Sequence, residues 1–251
     1  MSLPPLHKTL EECAFRALPA PRTQVFDGWV VRLAGGGPKR ANSVNVVDTS
    51  TLPLAHKIGH CEQLFLEQGL APTFRLTWHE VDAGLDALLA ARGYVRQDES
   101  IVMTLALDAI DTTDMASAAC TLLAADEWLQ LLPRIDQGTP ERKRKHVELL
   151  RRLDLPALYG AVETSGEYHA MGLVVIDDDY AGLFDIATLP GFRRRGYARS
   201  LTRALLHGAK RQGAKSAYLQ VVAGNSEAVT LYASLGFADC YRYWYRVRDT
   251  A

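Results

Sequence analysis

The segment from Phe184 to Phe237 constrains this chain more than any other. Phe184-Asp185-Ile186-Ala187-Thr188 reads as a strand. It runs through Leu189-Pro190-Gly191-Phe192 into Arg193-Arg194-Arg195-Gly196-Tyr197-Ala198, where an amphipathic helix opens, predicted over 195–212. Ser216 to Val222 reads as a strand and Asn225 to Leu235 as a helix. Phe237 to Val247 supplies one or two tyrosine-rich strands. A helix N-terminus presents unpaired N–H groups and a partial charge of ~0.5 e. Gly196 lets the backbone approach a ligand, and the arginines add charge. The turn therefore suits a phosphate or pyrophosphate; a merely solvated helix start also explains an arginine triplet. G-x-G-x-x-G and G-x-x-x-x-G-K-[ST] are both absent, which excludes a Rossmann fingerprint and a P-loop.

Upstream, helices are predicted at 126–135 and 141–153, followed by strands at 157–163, 169–176 and 181–188. The resulting order, ααβββαβαβ, is a mixed α/β arrangement and not a βαβ repeat. The first half reads as a helix (Leu6 to Leu18), strands at Trp29–Leu33 and Asn42–Val47 joined as a hairpin, a helix (Pro53 to Gly69), a strand (Thr73 to Trp78), a helix (Asp82 to Arg92) and a strand (Ile101 to Leu107). The polar stretch around Asp111-Thr112-Thr113-Asp114 divides the chain into 1–110 and 117–251. Leu85 to Tyr94 and Leu231 to Phe237 each form a helix that ends in Gly-aromatic before a strand. This echo fits either a shared glycine stop or a duplicated domain.

Lys plus Arg is 28 and Asp plus Glu is 29, a net charge of −1, against a chain that grips nucleic acid. Cys13, Cys61, Cys120 and Cys240 are scattered, which suits free thiols in a reducing compartment. The first residues have no signal-peptide character, and no apolar run reaches the ~20 residues a membrane helix needs. A cytoplasmic location without membrane contact is expected.

Arg193-x-x-Gly196-x-Ala198, just after Pro190, resembles the [RQ]-x-x-G-x-[GA] signature of the GNAT superfamily of N-acetyltransferases. Asn225-x-x-Ala228-x-x-Leu231-Tyr232-x-x-x-Gly236-Phe237 resembles its second motif at the usual distance. The resemblance covers about 117–251. It implies an α/β (α+β) fold: a twisted mixed sheet flanked by helices, with acetyl-CoA in a gap where the fourth and fifth strands splay. By this resemblance the backbone of Ile186, Ala187 and Thr188 pairs with the pantetheine arm. The N–H groups of Arg193, Arg194, Arg195, Gly196, Tyr197 and Ala198 take the pyrophosphate. Asn225 caps its helix and sits near the pantetheine. Tyr232 hydrogen-bonds or protonates the leaving thiolate, although a core-facing tyrosine also fits its spacing. Where relatives similar to the ribosomal-protein alanine acetyltransferases place a glutamate base, this strand has Gln220. Asp185 or a water chain is an alternative, and no base is assigned. The smaller first half resembles a degenerate GNAT copy: it lacks the first motif and has Leu89 where Tyr232 would align. Its expected role is to wall the acceptor site or complete the sheet, the rival being an unrelated accessory domain.

Other signals are weaker. Lys39-Arg40 either contacts substrate or ends a solvated hairpin. Arg142-Lys143-Arg144-Lys145 with Arg151 and Arg152 attracts an anion or is a solvated face balanced by Glu141 and Glu148. His56, His60 and Cys61 have metal-like spacing without H-E-x-x-H, and no metal is expected. Asp177-Asp178-Asp179 reads as a turn. Strand alternation puts Tyr243 and Tyr245 on one face and Trp244 on the other. The expected activity is acetyl transfer from acetyl-CoA to a primary amine, on a small molecule or a peptide N-terminus. No cysteine lies in either motif, so attack is direct in a ternary complex. The competing expectation is a non-catalytic acetyl-CoA sensor.

Overall fold

A computed structural model describes residues 2–110, 120–135, 138–164 and 166–248. The polar boundary at 111–114 lies outside the described residues. The first half comprises α1 (Pro5–Ala17), β1 (Arg22–Phe26), β2 (Trp29–Leu33), β3 (Ser43–Val46), α2 (Leu54–Leu66), β4 (Thr73–Thr77), α3 (Leu85–Ala91) and β5 (Val95–Ala106). The second comprises β6 (Cys120–Leu123), α4 (Ala125–Ile135), α5 (Pro140–Leu150), β7 (Ala157–Thr164), β8 (Glu167–Asp177), β9 (Tyr180–Thr188), α6 (Tyr197–Arg211), β10 (Ser216–Val222), α7 (Ser226–Ala233) and β11 (Ala238–Val247). Sequence periodicity predicts most of these, but not the edge strands β1 and β6. β1 joins β2 through Asp27 and Gly28, at φ 44° and 81°. These positive values suit a tight hairpin turn.

Among the described residues the eleven strands form one sheet, in the order β1-β2-β3-β4-β11-β5-β10-β9-β8-β7-β6. Setting the edge strand β6 aside, the order is a palindrome of a repeated unit. β3 runs parallel to β4 as β9 does to β10, and the flanking pairs are antiparallel. α2 bridges β3 and β4 as α6 bridges β9 and β10. Each half lends its last strand to the other. β5 pairs with β10 from Ser100↔Val222 to Ala106↔Ser216, and β11 pairs with β4 from Tyr243↔Thr77 to Val247↔Thr73. β5 and β11 also pair with each other along the centre.

The echo between Leu85–Tyr94 and Leu231–Phe237 is part of this repetition. The Tyr94 amide donates to the Leu89 carbonyl and the Phe237 amide to the Tyr232 carbonyl, both at 3.1 Å. Gly93 and Gly236 take positive φ in the same turn. Leu89 and Tyr232 thus occupy matching places.

α6 buries Leu201, Leu205, Leu206 and Ala209 at helical spacing, against Val174, Leu183 and Leu219. On the opposite face α1, α4 and α5 bring Leu10, Trp128, Leu129 and Leu149 against Leu173, Val175, Phe184 and Tyr218. In the first half α2 and α3 cover Trp29, Val31, Val44 and Phe74 with Ile58, Phe65 and Leu89. Each fully buried Leu or Phe contributes about 1.5–3 kcal/mol. α1 also ties the halves together: buried Glu11 accepts from Arg75 of β4 and from Tyr241 of β11. No helix among the described residues is long and apolar enough to cross a membrane.

Candidate active site

β9 and β10 pair only from Tyr180↔Ser216 to Leu183↔Leu219. Beyond that rung they part, and residues 184–188 lose their strand partner on the β10 side. The divergence begins at a bulge. Met171 pairs with Ala187 and Leu173 with Phe184, so Gly172 faces both Asp185 and Ile186. Asp185 takes φ 53°. Such a bulge bends the strand and re-aims its side chains. Phe184 packs with the α4–α5 face, Asp185 meets His146 of α5, and Ile186 packs on the α6–α7 side. The resulting cleft has a volume of about 1510 Å³ and opens through the sheet.

The predicted residues converge here. Ile186, Ala187 and Thr188 line the cleft, as do Arg193, Arg194, Gly196, Tyr197, Ala198, Asn225 and Tyr232. Arg195 does not: it donates to the Gly191 carbonyl at 3.4 Å and lies over the Phe192 ring. The helix begins at Tyr197, two residues later than predicted, because Gly196 is left-handed at φ 81°. Arg194 is also left-handed, at φ 62°. Left-handed residues within a turn direct successive N–H groups to one side, forming an anion-binding nest. Adjoining it, the Thr188 hydroxyl oxygen is buried with no hydrogen-bond partner among the described residues. Unpaired strand edge, nest and orphaned hydroxyl together fit an extended ligand that carries amides and a diphosphate.

Asn225 caps α7, its Oδ1 accepting from the Ala228 amide at 3.2 Å. Two turns on, Tyr232 is 8% exposed and stands edge-on to Phe237. Burial pushes its phenol up to about 12, because a phenolate would lose its hydration. Tyr232 is therefore a hydrogen-bond donor at neutral pH and not a base.

Across the sheet stands a group that motif reading did not find. His146 of α5 is buried, and its Nε2 lies 3.3 Å from Asp185 Oδ2. Both line the cleft. His146 precedes Leu149 and Leu150 at i+3 and i+4, all three buried, and that spacing was the available signal. Gln220 accepts from the Tyr243 hydroxyl at 3.1 Å. Tyr243 and Tyr245 face the cleft while Trp244 packs into the first half's core. Arg142 also lines the cleft, whereas Arg144 and Lys145 pair with Glu148 and Lys143 caps the Pro133 carbonyl. Asp177-Asp178-Asp179 makes the β8–β9 turn.

The first half reaches the same cleft. Lys39 and Arg40 come from the loop before β3, and Asp98 and Ser100 from β5. Lys39 Nζ donates to Asp98 Oδ2 at 2.8 Å and to Gln97 Oε1 at 2.6 Å. Arg40 lies over the Phe184 ring, 5.3 Å from its centroid. None of the four cysteines lines the cleft, and burial pushes every one of their thiols up.

Comparison with known proteins speaks to the family and the fold. The family model described as "Probable histone acetyltransferase Rv0428c C-terminal" matches residues 7–246. The uncharacterized N-acetyltransferase YobR of Bacillus subtilis is 26% identical over 96% of this chain and 98% of its own. A GCN5-related N-acetyltransferase structure from Kribbella flavida superimposes with TM-score 0.72 at 14% identity, over 97% of this chain and 96% of that one. A tandem GNAT protein from the clavulanic acid biosynthesis pathway gives TM-score 0.59 at 16% identity, over 96% of this chain and 88% of that one. At such identities the two structures speak to fold alone.

Proposed function

This chain belongs to the Rv0428c C-terminal acetyltransferase family within the GNAT superfamily, and from that premise we propose that it moves an acetyl group from acetyl-CoA to a primary amine in a ternary complex. It is an acyltransferase; the donor, the acceptor and the proton route are our reading. The observation that carries it is the parting of β9 and β10, with a protonated tyrosine on one side and a His–Asp pair on the other.

The nest at 193–198 and the α6 N-terminus hold the diphosphate of acetyl-CoA. The unpaired edge of 184–188 takes the pantetheine amides as an added strand would. Oriented there, the thioester carbonyl meets an amine entering from the α5 face. His146, oriented by Asp185, accepts the ammonium proton and so frees the nitrogen lone pair. The nitrogen adds to the carbonyl, the tetrahedral adduct gives up its second N–H proton to solvent, the C–S bond breaks, and the thiolate leaves toward Tyr232. The phenol O–H donates a hydrogen bond to that sulfur. Raised thiol pKa values and the lack of a cysteine in the cleft favour direct attack over an acyl-enzyme.

The test is thiol release from acetyl-CoA with a panel of primary amines, alongside calorimetry with acetyl-CoA alone. Amine-dependent release without a burst in the absence of amine is expected. Binding without turnover across the panel would favour a sensor, and absence of binding would refute the cleft assignment.

A further inference from the structure

The charges on the acceptor side of the cleft do not cancel. Asp98 is met by Lys39 at 2.8 Å and Asp185 by His146 at 3.3 Å. Arg40 lies only over the Phe184 ring, with no ion pair or side-chain hydrogen bond among the described residues. Behind it Arg32, 1% exposed, donates from its two terminal nitrogens to the carbonyls of Phe15, Leu18 and Arg40, and neither these nor its Nε meets a carboxylate among the described residues. Its bond to the Arg40 carbonyl fixes the loop that presents Arg40. Burial, and then repulsion from Arg40, lower the Arg32 guanidinium to about 10. Beside them the Tyr245 hydroxyl is buried next to Tyr243 and makes no well-formed hydrogen bond among the described residues. Arg40, backed by a second guanidinium and without a counter-anion among the described residues, makes this corner of the cleft a positive recess suited to an anionic group.

We propose that this recess is a specificity site: Arg40, with the Tyr245 hydroxyl, binds a carboxylate on the acceptor, making the preferred substrate an amino acid-like amine. The inference rests on the acetyltransferase reading above. A guanidinium offers two parallel N–H donors that match a carboxylate, which an ammonium ion does not. Phe184 adjoins the bulge at Asp185, so the recess lies next to the place where the amine is deprotonated, not at the diphosphate nest. A carboxylate held there sits a short chain from the nucleophilic nitrogen. Arg40 comes from the first half, so that half, which lacks the first GNAT motif, contributes the selecting residue.

The experiment measures kcat/KM with acetyl-CoA for α-, β- and γ-amino acids, each paired with its carboxamide. It compares the full-length protein with Arg40→Gln and Arg40→Lys. Wild type is expected to favour one or more carboxylates over their amides by ~10-fold to 100-fold, the range of a hydrogen bond to a charged group. Arg40→Gln abolishes the preference, and dividing its ratio by the wild-type ratio cancels the differing basicity of the two amines. Arg40→Lys keeps the charge, so it retains the preference in part and serves if the Gln variant does not fold. Equal use of acids and amides by the wild type, or a preference that survives Arg40→Gln, overturns the proposal and leaves the acetyltransferase reading standing. No acetylation of any amine, with acetyl-CoA still bound by calorimetry, overturns both. A second arm offers succinyl-CoA against butyryl-CoA with the best amide acceptor. An Arg40-dependent preference for succinyl-CoA assigns the carboxylate to the donor and overturns the acceptor assignment.

Discussion

Replacing Tyr232 by Phe removes one oxygen from the cleft wall and tests the thiolate-facing role directly. With the buried phenol at about 12 and a free thiol near ~8.5, full proton transfer from Tyr232 to the leaving thiolate is uphill by roughly 5 kcal/mol. On the proposed mechanism Tyr232 stabilises the developing sulfur anion as a hydrogen-bond donor, and solvent protonates the thiolate after it departs. A hydrogen bond to a charged group contributes about 1.5–3 kcal/mol, so Tyr232→Phe should lower kcat by roughly 10- to 150-fold. The KM for acetyl-CoA should stay near wild type, because the bond strengthens only as the C–S bond breaks. The phenol stays protonated throughout the ordinary range, so the deficit should be constant from about pH 6 to 9. Thiol release under saturating amine, followed across that range, is the assay. A kcat within about twofold of wild type refutes the role. A deficit that changes steeply between about pH 8 and 10 refutes the argument from burial.

His146→Gln should lower kcat/KM for the amine by about 100-fold or more at pH 7. The deficit should shrink as pH rises toward the amine's own pKa of ~10, where less ammonium needs deprotonating; a deficit that ignores pH removes His146 from the proton path. A fragment of residues 112–251 should be insoluble or inactive, since losing β4 and β5 strips β11 of both neighbours and leaves β10 paired with β9 alone; a soluble, fully active fragment refutes dependence on the first half. Asp27→Asn should lower the melting temperature at pH 7. The Asp27 carboxylate is held well below the usual range by Thr51, Leu52 and Lys57. That stability is present above the unfolded value near ~3.9 and lost as pH falls toward the depressed folded value. Melting curves should thus show the gap between variant and wild type closing below about pH 4, and a gap that widens in acid contradicts the assignment.

What could be read from sequence was what the chain keeps local. The nest residues lie within six consecutive positions, and Asn225 and Tyr232 share one helix, so spacing alone exposes them. His146 stands in a helix that reads as solvated, and only the β9 bulge brings it to Asp185. Lys39 and Arg40 sit in a glycine-flanked loop more than 140 residues upstream of Phe184, and no local pattern specifies that approach. The exchange of β5 and β11 was not legible either. Both strands alternate in the same way and bury the same faces whichever neighbour they pair with, so the pattern fixes which side faces the core and not the partner. The doublet Gly93-Tyr94 and Gly236-Phe237 carried the repetition, but a glycine stop is too common to separate descent from helix capping.

The matched halves also explain why one cradle stays open to ligand while its counterpart is closed. Before α2, where the repeat places the equivalent of the 193–198 turn, the chain's own carboxylates take four successive amides. Asp48 accepts from Thr49 and Asp82 from Ser50, both at 2.9 Å; Asp27 accepts from Thr51 at 3.0 Å and from Leu52 at 2.9 Å. Buried Lys57 completes the set against Asp27 at 3.3 Å. A diphosphate entering there would have to displace three anions that are already hydrogen-bonded, each repelling it. Before α6 the chain offers Arg193 and Arg194 instead, and Glu227 approaches only to 4.0 Å from Arg194. The two turns thus serve opposite ends: in the first half the N–H groups hold internal anions and stabilise a scaffold that delivers β5 and Arg40, whereas in the second the Arg193 amide turns back to the Pro190 carbonyl at 3.4 Å and no carboxylate among the described residues takes the amides that follow. The backbone differs as well as the side chains: Arg194 and Gly196 are left-handed before α6, whereas no residue from 48 to 53 takes positive φ before α2, so the first turn holds its anions through side chains folded back onto extended amides.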